Sequence, residues 1–131
     1  MTADDLPWLH DLCVRRYPKH YDSHTTEAWY KNIVLSNPLQ FIAIRTDRAF
    51  SVAHLEAMPW TAFELECCVM FTCAEEGAMW EAVKCLRMTL FWARQRKCKR
   101  WHLWSETTFE LGPMAKRLGI NRTATRYIKD L

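Results

Sequence analysis

The chain has 131 residues, half of them apolar, with seven tryptophans, six cysteines and a formal net charge of +3. That length fits one domain, spanning residues 1–131, that buries about two-thirds of its unfolded surface. No stretch reaches the roughly 18 uncharged apolar residues of a membrane span, and Asp4 and Asp5 stand where a secretion signal carries positive charge.

The cysteines (Cys13, Cys67, Cys68, Cys73, Cys85 and Cys98) form no C-x-x-C pair, and most sit in apolar runs. Reduced cysteines packed as small hydrophobes in a cytoplasmic protein are therefore expected. The charge is unevenly placed. Residues 1–83 hold six Lys/Arg against twelve Asp/Glu, whereas residues 84–131 hold twelve against three. Seven basic residues and no acid lie between Lys84 and Arg100.

In chain order, Leu6, Leu9, Leu12 and Cys13 recur at helical spacing behind a Thr2-x-x-Asp5 start, and Pro18 ends that helix. Residues 20–24 read as loop. Thr25 or Thr26 caps a second helix bearing Ala28, Trp29, Ile33 and Val34, closed by Asn37 and Pro38. Residues 41–44 form a buried strand and residues 46–48 a turn. Residues 50–57 form a second strand, broken at Met58, Pro59 and Trp60.

Phe63, Leu65 and Cys67 alternate with Glu64, Glu66 and Cys68 in a third strand that becomes fully apolar at Val69, Met70 and Phe71. After Glu75, Glu76 and Gly77 an amphipathic helix over 78–97 presents Met79, Val83, Leu86, Leu90 and Ala93 on one face. A strand carrying Trp101, Leu103 and Ser105 follows. Thr107 or Thr108 then opens a shorter helix that stops at Gly119, and residues 121–128 close the chain as a strand.

The junction at Glu75, Glu76 and Gly77 is the most telling point. Free backbone N–H groups and the positive end of a helix favour an anion at such a turn. Two carboxylates there oppose one.

This order, α-α-β-β-β-α-β-α-β, resembles the GNAT N-acetyltransferase superfamily. The likeness is strongest at Met114, Ala115, Lys116, Arg117, Leu118, Gly119 and Ile120, which resemble the family's Y-x-K-x-G-F helix end before a closing strand. It implies an α/β fold, a mixed sheet flanked by helices, with the first strand missing or vestigial. It also implies acetyl-CoA as cofactor if the protein is active.

The family's pyrophosphate-binding segment, [RQ]-x-x-G-x-[GA], maps onto Ala74, Glu75, Glu76, Gly77, Ala78 and Met79. The resemblance thus assigns cofactor contacts to Val69, Phe71, Glu76, Gly77, Ala78 and Met79. Ala74 replaces the usual Arg or Gln, and Met79 replaces a small residue. For catalysis it offers Glu64 or Glu66 as base, although solvent-facing strand glutamates look the same. The helix position usually held by an acidic tyrosine is Ala115, leaving Tyr127 as substitute.

No metal site is expected. His20-x-x-x-His24 has ligand spacing only on a helix, and it falls in the loop. Cys67, Cys68 and Cys73 lack a sequence-adjacent base to activate them. His54 and His102 read as hydrogen-bonded strand residues.

Three functions follow. The first is a GNAT-like protein with an eroded acyl-CoA site, weakly active or non-catalytic. It would work through protein contacts or self-association, as a structural or regulatory part such as those encoded by phages and other mobile elements. The tryptophan load suits that role. The second is an active N-acetyltransferase moving acetyl from acetyl-CoA to an amine. The third is a nucleic-acid-binding module using Arg94, Arg96, Lys97, Lys99 and Arg100.

Overall fold

The computed structural model describes residues 1–18, 21–59, 62–103 and 116–120. A single 3₁₀ turn, Ala3–Asp5, opens the chain and runs into helix α1 (Leu6–Arg16). The turn is closed by a capping box, in which the Thr2 N–H donates to Asp5 Oδ2 at 2.8 Å. Pro7 then occupies the first turn of α1, where a missing N–H costs nothing.

Helix α2 (Ser23–Trp29) is capped by Asp22, whose Oδ1 accepts from the N–H of His24 at 3.0 Å and of Thr25 at 3.3 Å. Thr25 and Thr26 instead bond back to that cap, to Asp22 Oδ2 and the Asp22 carbonyl respectively. The expected loop is thus shorter, and His24 belongs to the helix. A π-helical turn, Tyr30–Val34, continues α2 and buries Tyr30 and Val34.

Three antiparallel strands follow, β1 (Phe41–Arg45), β2 (Ala49–Met58) and β3 (Glu64–Ala74). Helix α3 (Met79–Gln95) crosses to β4 (Arg100–Leu103), which pairs with β3 in parallel. Sheet order is β1-β2-β3-β4. A parallel pair needs a crossover of a dozen or more residues, and α3 supplies it.

Among the described residues no strand precedes α1, and the Met1 ammonium donates to the Ala43 carbonyl on the outer edge of β1 at 3.1 Å. The strand and helix expected over 104–115 and the strand over 121–128 lie outside the described residues. No helix described is long and apolar enough to cross a membrane.

The sheet is covered on both faces. On one, Ala53, Cys67 and Val69 pack against Leu86, Trp92 and Ala93 of α3. On the other, Phe50, Val52 and Cys73 meet Leu9, Leu12 and Cys13 of α1 and Tyr30. Arg45 ties α1 to β1, sitting 2.5 Å from Asp5 and 4.0 Å above the Trp8 ring. All five cysteines of the strands and helices are buried thiols, and Cys98 is half-buried.

The register of β2 on β3 shifts once. Val52 faces Phe71 but Ala53 faces Val69, so Met70 is an extra residue in β3. This bulge places Val69 on the α3 face and Phe71 on the α1 face. A regular strand would have put both on one side.

Helix α3 departs from the expected face in two places. Met79 is 40% exposed at its first position, while Ala82, Cys85, Thr89 and Trp92 are buried. The buried hydroxyl of Thr89 is satisfied twice, donating to the Leu86 carbonyl at 2.8 Å and accepting from Trp101 Nε1 at 3.0 Å. The helix also ends before Lys97. That residue adopts φ +58 and donates to the Arg94 carbonyl, while Cys98 reaches back to the Ala93 carbonyl. This is a Schellman stop with lysine where glycine is favoured.

Two substitutions test this backbone geometry in opposite directions. Lys97→Gly should raise unfolding free energy by up to about 1 kcal/mol, because a left-handed lysine is strained. Gly77→Ala should lower it by about 1 kcal/mol. Gly77 sits at φ +71 with open space around its Cα, so the cost is conformational alone. Urea unfolding with an unchanged m-value reads both.

Candidate functional site

Two places on the fold hold the residues of interest. The first is the turn from β3 into α3. Strand β3 ends at Ala74, and the Glu75 N–H is held by the Arg48 carbonyl at 2.9 Å. Arg48 returns the contact, its Nε donating to Glu75 Oε2 at 3.0 Å and its Nη2 to the Glu76 carbonyl at 3.0 Å. Arg15 of α1 approaches Glu75 Oε1 at 3.8 Å.

Gly77 takes the left-handed conformation, and Ala78 closes the turn by donating to the Glu75 carbonyl at 3.0 Å. Ala78 is buried, the Glu76 side chain is exposed, and Trp80 stands 53% exposed with Arg117 3.6 Å above its ring. The edge of β3 from 70 to 74 that faces β4 has no strand partner among the described residues.

The second place is a row of polar side chains across three strands. Cys68 lies between His54 and His102, and Glu66 lies between Glu56 and Arg100. All six share the α1 face of the sheet, beyond the part that α1 covers.

Glu66 is 1% exposed, with Oε1 accepting from Arg100 Nη1 at 3.1 Å and Oε2 2.5 Å from His102 Nε2. A buried carboxylate persists when its oxygens are paired in this way. His54 Nε2 contacts Glu56 Oε1, and the Phe41 ring stacks on His54 with centroids 5.8 Å apart. Burial, then the Glu56 and Glu66 carboxylates, pushes the Cys68 thiol up to about 12. Cys68 is therefore a neutral thiol near pH 7, not a ready nucleophile.

The sequence-predicted site residues divide between these places. Gly77, Ala78, Met79 and Glu76 meet at the turn. Val69 is buried against α3, and Phe71 packs on Phe50 with centroids 5.4 Å apart. Glu64 is exposed at the start of β3, whereas Glu66 is not the solvent-facing glutamate that strand alternation allowed. Tyr127, Ala115 and His20 lie outside the described residues.

Of the basic cluster, Arg94, Lys97 and Lys99 are exposed, Arg96 stacks 5.6 Å from Trp92, and Arg100 is engaged by Glu66. An apolar depression of about 280 Å³ beside β1, lined by Met1, Val34, Phe41 and Trp92 among others, holds no titratable side chain.

No protein-family model matches the sequence, and no curated protein is significantly similar to it. Solved structures are. Glucosamine-6-phosphate N-acetyltransferase from Arabidopsis thaliana aligns at TM-score 0.79 and 8% identity, over 99% of this chain and 94% of that one. A Trypanosoma brucei acetyltransferase aligns at 0.77 and 10% identity, over 100% and 96% of the two chains. AAC(6')-Iy, solved with the bisubstrate analogue CoA-S-monomethyl-acetylneamine, aligns at 0.77 and 11% identity, over 100% and 94%. The chain has the GNAT acetyltransferase fold, a four-stranded mixed sheet flanked by helices, at identities that establish the fold alone.

The row around Glu66 escaped sequence reasoning because it depends on register. Alternation in residues 64–68 put Glu66 and Cys68 on one face, but nothing in the sequence aligned them with His54 and His102.

Glu66→Gln should lower stability by about 1–3 kcal/mol, since it removes the charge that pairs Arg100 and His102. Glu64→Gln, at the exposed end of the same strand, should stay within about 0.5 kcal/mol of the parent. Equal effects in urea unfolding would contradict the buried pairing.

Proposed function

We propose that this protein is acetyltransferase-like in fold but carries a weakened acyl-CoA site, so that acetyl transfer is slow or absent and protein contacts are its main work. The supporting observation is the charge at the start of α3. A pyrophosphate at that turn would meet the exposed Glu76 directly. Two cations beside the turn, Arg48 and Arg15, are already directed at Glu75. Carboxylates suit a helix N-terminus by about 0.3–1 kcal/mol each, which explains their presence without any ligand.

The backbone remains suitable for an acyl-CoA. The edge of β3 over 70–74, which has no strand partner among the described residues, would offer amide groups to an extended chain, and it runs into the left-handed Gly77. Erosion thus concerns charge and side chains rather than the path of the chain. Exposed Trp80, Met88 and Phe91 on the outer side of α3 supply the apolar anchors that a protein contact uses.

One observation favours a second reading, an active N-acetyltransferase. Glu66 is too enclosed to accept a proton from an amine. His102, half-exposed and held by Glu66 Oε2, would serve as the base instead. The acceptor would be a small amine reaching the β3–β4 row.

Calorimetric titration with acetyl-CoA separates the two. The first reading expects a Kd weaker than about 1 mM. It also expects Glu76→Lys to tighten binding by about tenfold or more, as an unfavourable charge becomes a favourable one. Micromolar binding by the parent chain, with acetylation of an amine that is lost in His102→Gln, would establish the second and overturn the first.

A further inference from the structure

The geometry points to a divalent transition-metal site, of zinc character, formed by His54 and Glu56 of β2 and Cys68 of β3. One nitrogen, one carboxylate oxygen and one sulfur of these residues lie within 4.8 Å of one another. Zinc bonds of about 2.0–2.3 Å place tetrahedral ligand atoms about 3.3–3.8 Å apart. Side-chain rotations therefore close the set without moving the sheet.

Three features converge on this assignment. The backbone fixes the ligands. His54 and Cys68 are direct cross-strand partners, and Glu56 lies two residues along β2 on the same face. The site is also enclosed: Cys68 is 6% exposed, and the side chains of His54 and Glu56 are 16% and 33% exposed.

The third feature is incomplete pairing. His54 Nδ1 is buried with no hydrogen-bond partner among the described residues. Two carboxylates, Glu56 and Glu66, flank the thiol along the row, and among the described residues Arg100 is the single permanent cation bonded to either. A dication would relieve that crowding.

The donor set selects the metal class. Thiolate with imidazole favours zinc and its neighbours over magnesium or calcium, which take oxygen ligands. Three protein ligands leave a fourth position for water or a substrate atom, as in catalytic rather than structural zinc sites. Binding replaces the Cys68 S–H bond with an S–metal bond and releases the proton to solvent. The neighbouring Glu66–His102 pair then stands beside the metal as an outer contact, which orients ligands elsewhere in metalloproteins.

The test uses the full chain stripped with a chelator and titrated with Co²⁺, whose spectrum reports thiolate ligation. The expected result is one equivalent bound, with a thiolate-to-cobalt charge-transfer band that Zn²⁺ abolishes by displacement. Cys68→Ser should remove the band and weaken binding by at least about 100-fold. Glu56→Gln, at a partly exposed position that folding tolerates, should keep the band and weaken binding by about tenfold or more. Cys98→Ser should change neither. Absence of a thiolate band at one equivalent, its survival in Cys68→Ser, or equal affinity of Glu56→Gln and the parent would each overturn the site.

Discussion

Strand β3 is paired with β2 along its length on one edge and with β4 over residues 66–69 on the other, it is covered on both faces, and the arrangement of the rest follows from that position. Its antiparallel edge is met by β2 through a short connection. Its parallel edge is met by β4, which the chain reaches only after crossing the sheet. The crossing helix must present one apolar side to the sheet, and α3 does so through Ala82, Val83, Leu86 and Ala93. The opposite face falls to α1. The start of α3 is thereby fixed at the end of β3, at the place where open α/β sheets bind ligands.

The elements themselves were readable because their signals are local. Apolar spacing in residues 6–13, the stop before Pro18 and the left-handed Gly119 all depend on neighbours a few positions away. Errors arose where one local signal competed with another. Asp22 outbid Thr25 and Thr26 as the cap of α2 because a carboxylate accepts two backbone N–H groups at once. Lys97 ended α3 although nothing in its type announces a left-handed residue.

The candidate sites were readable to very different degrees. The turn at Gly77 was visible because strand, acidic pair, glycine and helix are contiguous. The row from His54 to His102 was not, since its members come from three strands. Nor was the burial of Glu66 visible, for its partners Arg100 and His102 lie 34 and 36 residues away. That ion pair also joins the acidic first part of the chain to the basic remainder. Arg94, Lys97 and Lys99 stay exposed, so much of the described asymmetry persists at the surface.

The extra residue at Met70 has an effect beyond its own position. It changes the phase of β3, so that Glu66 and Cys68 before it, and Phe71 and Cys73 after it, look out on the same side of the sheet. Polar and apolar halves of one face are thus set by different parities of a single strand. Loss of one residue here would shorten the strand by a single position and leave it about as apolar. Yet it would force a choice between the core under α1 and the alignment of Cys68 with His54. The length of this strand, rather than its composition, holds those two regions in common frame.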